Sequence, residues 1–349
     1  MDITYVVMWL GFILAAYSVV GNDVIQTLGT FLTSSEKRFK WWILWIYAAG
    51  ILSAVLLIGF FDPFQYGYKY GVAYGRLDKF IMPDIYNWYY LLPPLVLLII
   101  TRLGIPVSTT FMILTLFSLE DIPNELPAMV GSIFNTDAQL GGMINKSLMG
   151  YLVAFIAAIF IYLGITQLFE KKFIASPVKD KHRSFWIIAQ WSSTAFLWSQ
   201  WLTQDLANIY IYLQGGRNMS PMHFFVSLSL ILGLLAYIFY RRGGAVQEIV
   251  RAKTNTEDIR SATFIDFIYG IILYFFKYDA IGLWGGQIPM STTWVFIGLL
   301  AGREIAIRFR MEGGVNKTVV KMIFSDLGKI FMGLVISVCL VFIIKLIAS

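Results

Sequence analysis

Four short stretches carry the polar chemistry that stands out in an otherwise apolar chain. Asn22-Asp23-Val24-Ile25-Gln26 and Gln204-Asp205-Leu206-Ala207-Asn208 each set a carboxylate among carboxamides. GIPVSTT at 104–110 and QIPMSTT at 287–293 each put three hydroxyls shortly after a proline. A carboxylate inside an apolar helix is expensive and marks function by default. With amide and hydroxyl oxygens beside it, it can replace the water around a small hard cation such as Na+. Asp23, Gln26 and Thr30 fall at i, i+3 and i+7 on one helical face, and Asp205 and Asn208 repeat the start of that pattern. The same carboxylates can instead titrate and carry protons, or simply glue helices by hydrogen bonding.

The serine-threonine stretches suit the opposite charge. A helix beginning at Ser108-Thr109-Thr110 or Ser291-Thr292-Thr293 offers unpaired N–H groups, the positive end of its dipole and three hydroxyls. Capping alone explains one such stretch. Two of them, with Asn22 and Gln204 as further amide contacts, predict a clamp on one tetrahedral oxyanion. The two sets share a spacing: Asp23 precedes Ser108 by 85 residues and Asp205 precedes Ser291 by 86. A common offset for two separate motifs is the signature of an internal duplication.

The elements that must position these residues are membrane helices. Of the 349 residues, 58% are apolar and 14% charged, and the mean hydropathy is +0.70. So few charges cannot cover a water-soluble fold of that size. One cysteine and two histidines make a disulfide scaffold, a zinc site or haem ligation poor readings. Apolar runs fall at about 3–33, 41–61, 85–103, 105–119, 148–169, 186–213, 221–240, 261–279, 288–302 and 327–347. The runs at 105–119 and 288–302 are short and predict re-entrant half-helices. The loops 34–40, 170–185, 241–260 and 303–325 hold 18 Lys and Arg, against 5 in 62–84, 119–147 and 214–218. The positive-inside rule then puts the basic loops in the cytoplasm and the N-terminus outside. This explains the net charge of +6 without nucleic acid. Segments 1–169 and 186–349 become two five-segment halves of opposite orientation, joined by a short basic linker at 170–185, the plan of many secondary transporters. The expected class is an all-α polytopic membrane protein with two inverted repeats.

NDVIQTLGT at 22–30 resembles the G-A-N-D-V-A-N-x-x-G-T signature of the inorganic phosphate transporter (PiT) family. QDLAN is similar to its second copy, and GIPVSTT and QIPMSTT are similar to the family's G-x-P-V-S-T-T turns. Gln26 and Gln204 stand where the family has asparagine, and Phe111 and Trp294 stand where a histidine often follows. The resemblance implies symport of inorganic phosphate with a cation, usually Na+ and sometimes H+, in the cell membrane. It places the anion between the two STT stretches and the cations near Asp23 and Asp205, with Na+ as coupling ion and no bound cofactor. It also implies a homodimer. Sulfate or another tetrahedral oxyanion is the alternative cargo, and a non-transporting receptor on the same scaffold is the alternative class. An intramembrane aspartyl protease would use two aspartates, but it would leave the STT pair without a role.

Several other polar residues carry weaker expectations. Arg102 either attracts substrate or snorkels to an interface. Asp266 and Lys277 are expected to pair locally or face water at the ends of their segment. Glu120, Asp121, Glu125 and Asp137 read as a solvated outer loop, and Asn145-Lys146-Ser147 as a sequon on that loop.

Overall fold

The computed structural model describes residues 2–61, 71–78, 80–103, 107–165, 169, 171–216, 219–242, 258–278, 290–312, 314 and 317–348. Pro106 and Pro289, the two predicted turn prolines, lie outside these residues, as does most of the 241–260 loop. Every regular element among the described residues is helical.

Helix α1 (Ile3–Val19) is capped by the Asp2 side chain, which accepts from the Thr4 N–H at 3.0 Å. It runs into a π-helical turn at Val20–Val24 and then α2 (Ile25–Ser35). After α3 (Trp41–Phe61), a 3-10 turn at Trp88–Leu91 leads into α4 (Leu92–Arg102). Pro93 and Pro94 sit in the first turn of α4, where the missing N–H groups would have had no intrahelical partner. Helix α5 (Thr109–Leu114) gives way to a 3-10 stretch at Thr115–Asp121, followed by α6 (Leu126–Phe134) and α7 (Gln139–Ile165). A short α8 (Lys171–Ala175) precedes α9 (Asp180–Asp205), which breaks at Leu206 before α10 (Ala207–Tyr210) and a 3-10 stretch at Ile211–Gly216. The chain closes with α11 (Pro221–Tyr240), α12 (Ile259–Tyr278), α13 (Thr292–Glu312) and α14 (Lys317–Ala348).

Among the described residues, six stretches are long and apolar enough to cross a bilayer: Ile3–Val24, Trp41–Phe61, Leu126–Ile165, Pro221–Tyr240, Ile259–Tyr278 and Lys317–Ile347. Their outward faces carry large apolar side chains such as Ile46, Phe160, Phe225, Phe267 and Val335, as a lipid-facing surface requires. The protein is thus an all-α polytopic membrane protein.

The more polar helices lie inside. Helix α9 packs along α12, and α13 packs along α7. The second contact is unusually close. A Cβ on Gly298 would stand 2.4 Å from the Tyr151 carbonyl oxygen, and one on Gly302 would stand 2.2 Å from that of Phe155. These glycines are four apart on α13, and only hydrogen at both Cα positions lets the backbones approach so far.

Two local expectations change. The 288–302 run is not a short helix: α13 has 21 residues and continues through Arg303 and Glu304 to Glu312, about 31 Å at 1.5 Å per residue. Buried packing against α7 carries those charged residues, so helix length exceeds apolar length. The first short run does stay short, with six α-helical residues before its 3-10 stretch. The sequon lies within α7 rather than on a loop, with Lys146 and Ser147 buried. Asp121, Glu125 and Asp137 are exposed, as a solvated loop requires.

Candidate functional site

Both aspartates sit where a helix is interrupted. Asp23 lies in the π-helical turn between α1 and α2, and Asp205 is the last residue of α9 before the break at Leu206. A regular helix buries its backbone groups in its own ladder, whereas an interruption turns some of them and the nearby side chains toward a neighbour. The STT stretches begin α5 and α13. Ser108 accepts from the Phe111 N–H at 3.2 Å and Ser291 from the Trp294 N–H at 3.4 Å, so both serines act as N-caps. The Ser291 N–H donates in turn to the Ser147 hydroxyl at 2.9 Å.

The threonines are left for the carboxylates. Thr109 donates to Asp23 Oδ2, and Asn22 donates to Asp23 Oδ1 at 2.7 Å. Thr110 donates to Asp205 Oδ1 at 3.4 Å, and Asn208 donates to the same oxygen at 3.0 Å. Asn208 also reaches Thr109 at 3.0 Å and Thr110 at 3.3 Å. Thr292 stands beside Asp205 as Thr109 stands beside Asp23. The two STT stretches meet as well: Thr110 approaches the Met290 carbonyl at 3.5 Å, and the rings of Phe111 and Trp294 lie 6.1 Å apart. Asp23 and Asp205 are close enough to repel each other. Asn22, Asp23, Gln26, Thr109, Thr110, Asp205, Asn208, Ser291, Thr292 and Thr293 are all buried. Residues more than 260 positions apart therefore form one polar cluster in an apolar bundle.

The geometry reassigns some of these side chains. Thr30 does not join Asp23. It donates to Asp266 Oδ1, because two helical turns carry it about 10 Å along the axis from Asp23. Asn22, expected to contact the anion, spends its N–H groups on Asp23 and the Val107 carbonyl, leaving its Oδ1 without a donor. Gln26, expected to ligate the cation, has a buried amide nitrogen without a partner. The amide roles of the first half are thus exchanged. Gln204 donates to the carbonyls of Gln200 at 3.2 Å and Leu273 at 3.3 Å, so its N–H groups are not available to an anion. Its Oε1 and Asp205 Oδ2 are buried acceptors without donors. Such oxygens suit a hard cation, which binds through oxygen alone.

Two residues beyond the sequence expectations border this cluster, and a third, expected to pair locally or face water, forms a separate buried node. Tyr269 on α12 is buried, donates to the Thr292 carbonyl at 3.0 Å and lies within electrostatic range of both aspartates. Arg76 is buried and lies within electrostatic range of Asp205. Its segment, 71–78, belongs to a loop that hydropathy places outside the membrane. Asp266 is the third. Fully buried, it accepts from Thr30, from Gln190 at 2.9 Å and from Thr194 at 2.6 Å, and so ties α2, α9 and α12 together. The Gln190 and Thr194 spacing on α9 was the available signal: two polar groups one turn apart on a face that can meet only another helix. Arg102, by contrast, is exposed at the end of α4 and stands outside the site.

No family model and no curated protein matches the chain. Among solved structures, the fold is similar to one described as "The sodium-dependent phosphate transporter", with a TM-score of 0.58 and 16% sequence identity. That likeness covers 99% of this chain and 98% of the other, so the whole bundle has the fold of that transporter.

Proposed function

We propose that the protein is a secondary carrier that moves inorganic phosphate inward together with Na+. The observation that carries this reading is the convergence of both aspartate motifs and both STT stretches in one buried cluster at two helix interruptions. Such interruptions are where carriers built from repeats bind their cargo. The end-to-end likeness to a sodium-dependent phosphate transporter supports the same reading.

In this mechanism Na+ is taken up by carboxylate and carboxamide oxygens, with Asp23, Asn22, Asp205 and Asn208 as the first choice of ligands. Neutralising the two repelling carboxylates then allows an anion to approach Thr109, Thr110, Thr292 and Thr293. Cation and anion bind better together than apart, which is the free-energy coupling that symport needs. Movement of one repeat element against the other exposes the loaded site to the opposite side. Segments 1–169 and 186–349 are the proposed inverted halves, and the matched Thr109–Asp23 and Thr292–Asp205 relations support that assignment. The charge bias of the loops supports an external N-terminus and cytoplasmic basic loops in a cell membrane.

Phosphate is favoured over sulfate by one feature. Monohydrogen phosphate carries a proton that must find an acceptor, and Gln204 Oε1, which is not among those cation ligands, is a buried oxygen to which nothing donates. Uptake of labelled phosphate and sulfate into proteoliposomes, with and without a Na+ gradient, tests the proposal. Phosphate uptake should require the gradient and be lost in Asp23→Asn and Asp205→Asn. Gradient-independent uptake, or sulfate uptake that phosphate does not inhibit, would overturn it.

A further inference from the structure

Residues 71–78 connect α3 to the segment before α4 without forming a helix, yet Val72, Ala73, Arg76 and Leu77 are all buried. Tyr74 donates to the carbonyl of Val55, and a Cβ on Gly59 would meet the Gly71 oxygen at 2.9 Å. Val55 lies six residues before the end of α3, about 9 Å below it. The segment therefore folds back into the bundle. The turns that achieve this put Gly71, Tyr74 and Gly75 at positive φ, which is costly for tyrosine. Irregular backbone at membrane depth survives only where protein covers it or where it lines a binding cavity.

What this fold delivers is the Arg76 side chain. It is 4% exposed, and its Nε and Nη1 donate to nothing. Its segment reaches the Asp205 end of α9: the Tyr74 ring lies 5.5 Å from the Nζ of Lys277, which donates to Thr203, two residues before Asp205. Arg76 forms no ion pair with Asp205, whose Oδ2 is likewise without a donor. Lys277, a second cation nearby, is already engaged: it donates to Thr203 at 2.8 Å and lies 4.6 Å from the centre of the Tyr278 ring. Leaving three N–H groups of a buried guanidinium without acceptors is expensive. An oxyanion is the ligand that repays that cost, because its oxygens match planar N–H donors. A cation has no lone pair to accept from those N–H groups.

We infer that Arg76 is an affinity- and specificity-determining residue of the oxyanion site, donating to the anion held between the STT threonines and Asp205. This rests on the carrier reading above and names the fixed positive charge that the clamp of hydroxyls lacks.

The test compares wild type with Arg76→Lys and Arg76→Gln in proteoliposomes, using labelled phosphate, sulfate and Na+. Arg76→Lys keeps the charge but not the planar donors. It should raise half-saturating phosphate at least tenfold, with half-activating Na+ at saturating phosphate changed less than twofold. Arg76→Gln should abolish saturable phosphate uptake. Unchanged phosphate affinity in both variants overturns the inference. Equal shifts in phosphate and Na+ dependence also overturn it, since a mere counter-ion of Asp205 would act that way. Should the variants not fold, the wild-type structure determined with phosphate decides: a guanidinium nitrogen within hydrogen-bonding distance of the anion supports the inference, and one well beyond it refutes it. If wild type carries sulfate and not phosphate, the carrier reading loses its substrate and the same comparison judges Arg76 on sulfate. If it takes up no oxyanion, both fall.

Discussion

Thr109→Val is the sharpest perturbation of the proposed site. Valine keeps the shape of a side chain that is 1% exposed and removes only the hydroxyl. That hydroxyl donates to Asp23 Oδ2 and accepts from Asn208 at 3.0 Å. The Asn208 amide keeps its bonds to Asp205 at 3.0 Å and Thr110 at 3.3 Å, so its loss is small. The main effect is one hydrogen bond to a buried carboxylate, about 1.5–3 kcal/mol. If Asp23 must be held in that orientation to bind Na+, the same free energy appears in the cation affinity. At about 1.4 kcal/mol per factor of ten, half-activating Na+ should rise about 10- to 100-fold. The assay is phosphate uptake into proteoliposomes as a function of external Na+. Thr109→Ser restores the donor and should stay near wild type. A Thr109→Val variant whose Na+ dependence is within twofold of wild type would refute the reasoning, because Asp23 would then not be a cation ligand that Thr109 orients.

Other expectations concern the scaffold. Asp266→Ala leaves the hydroxyls of Thr30 and Thr194 and one N–H of Gln190 without an acceptor, the other Gln190 N–H keeping Thr194 at 3.2 Å; at about 1–3 kcal/mol for each unsatisfied group, it should lower the melting temperature in detergent clearly more than Asp266→Asn does. An unchanged melting temperature would mean that these three helices are not tied together there. Gly302→Leu should prevent α13 from seating on α7 and abolish the monodisperse peak on size exclusion, given a Cβ only 2.2 Å from the Phe155 oxygen. Orientation is open to labelling once Cys339 is replaced by serine: cysteine at Lys40 should react with an impermeant reagent only from the cytoplasmic side, and cysteine at Asp137 only from outside. The reverse pattern would invert the proposed topology.

The sequence by itself determined the class and the ingredients. Periodicity is not needed to recognise a membrane protein when apolar runs of bilayer length alternate with loops, because only a helix satisfies its own backbone in lipid. The isolated carboxylates were legible for the same reason: in a chain this apolar, Asp23 and Asp205 had to be either functional or paired. Tertiary structure decided the partners. A helical face of Asp23, Gln26 and Thr30 presumes a regular helix and one shared neighbour, and the π-helical turn and the height of Asp266 remove both conditions. Amide roles were equally out of reach, since which end of Asn22 or Gln204 stays free depends on carbonyls of Val107 and Leu273 far along the chain. Arg76 shows the difference most plainly. Hydropathy places it in an outer loop because a local window sees a charged, glycine-rich segment. Only the packing of that segment beneath the end of α3 buries the charge within electrostatic range of Asp205, and burial is what gives an otherwise ordinary arginine a reason to bind an anion.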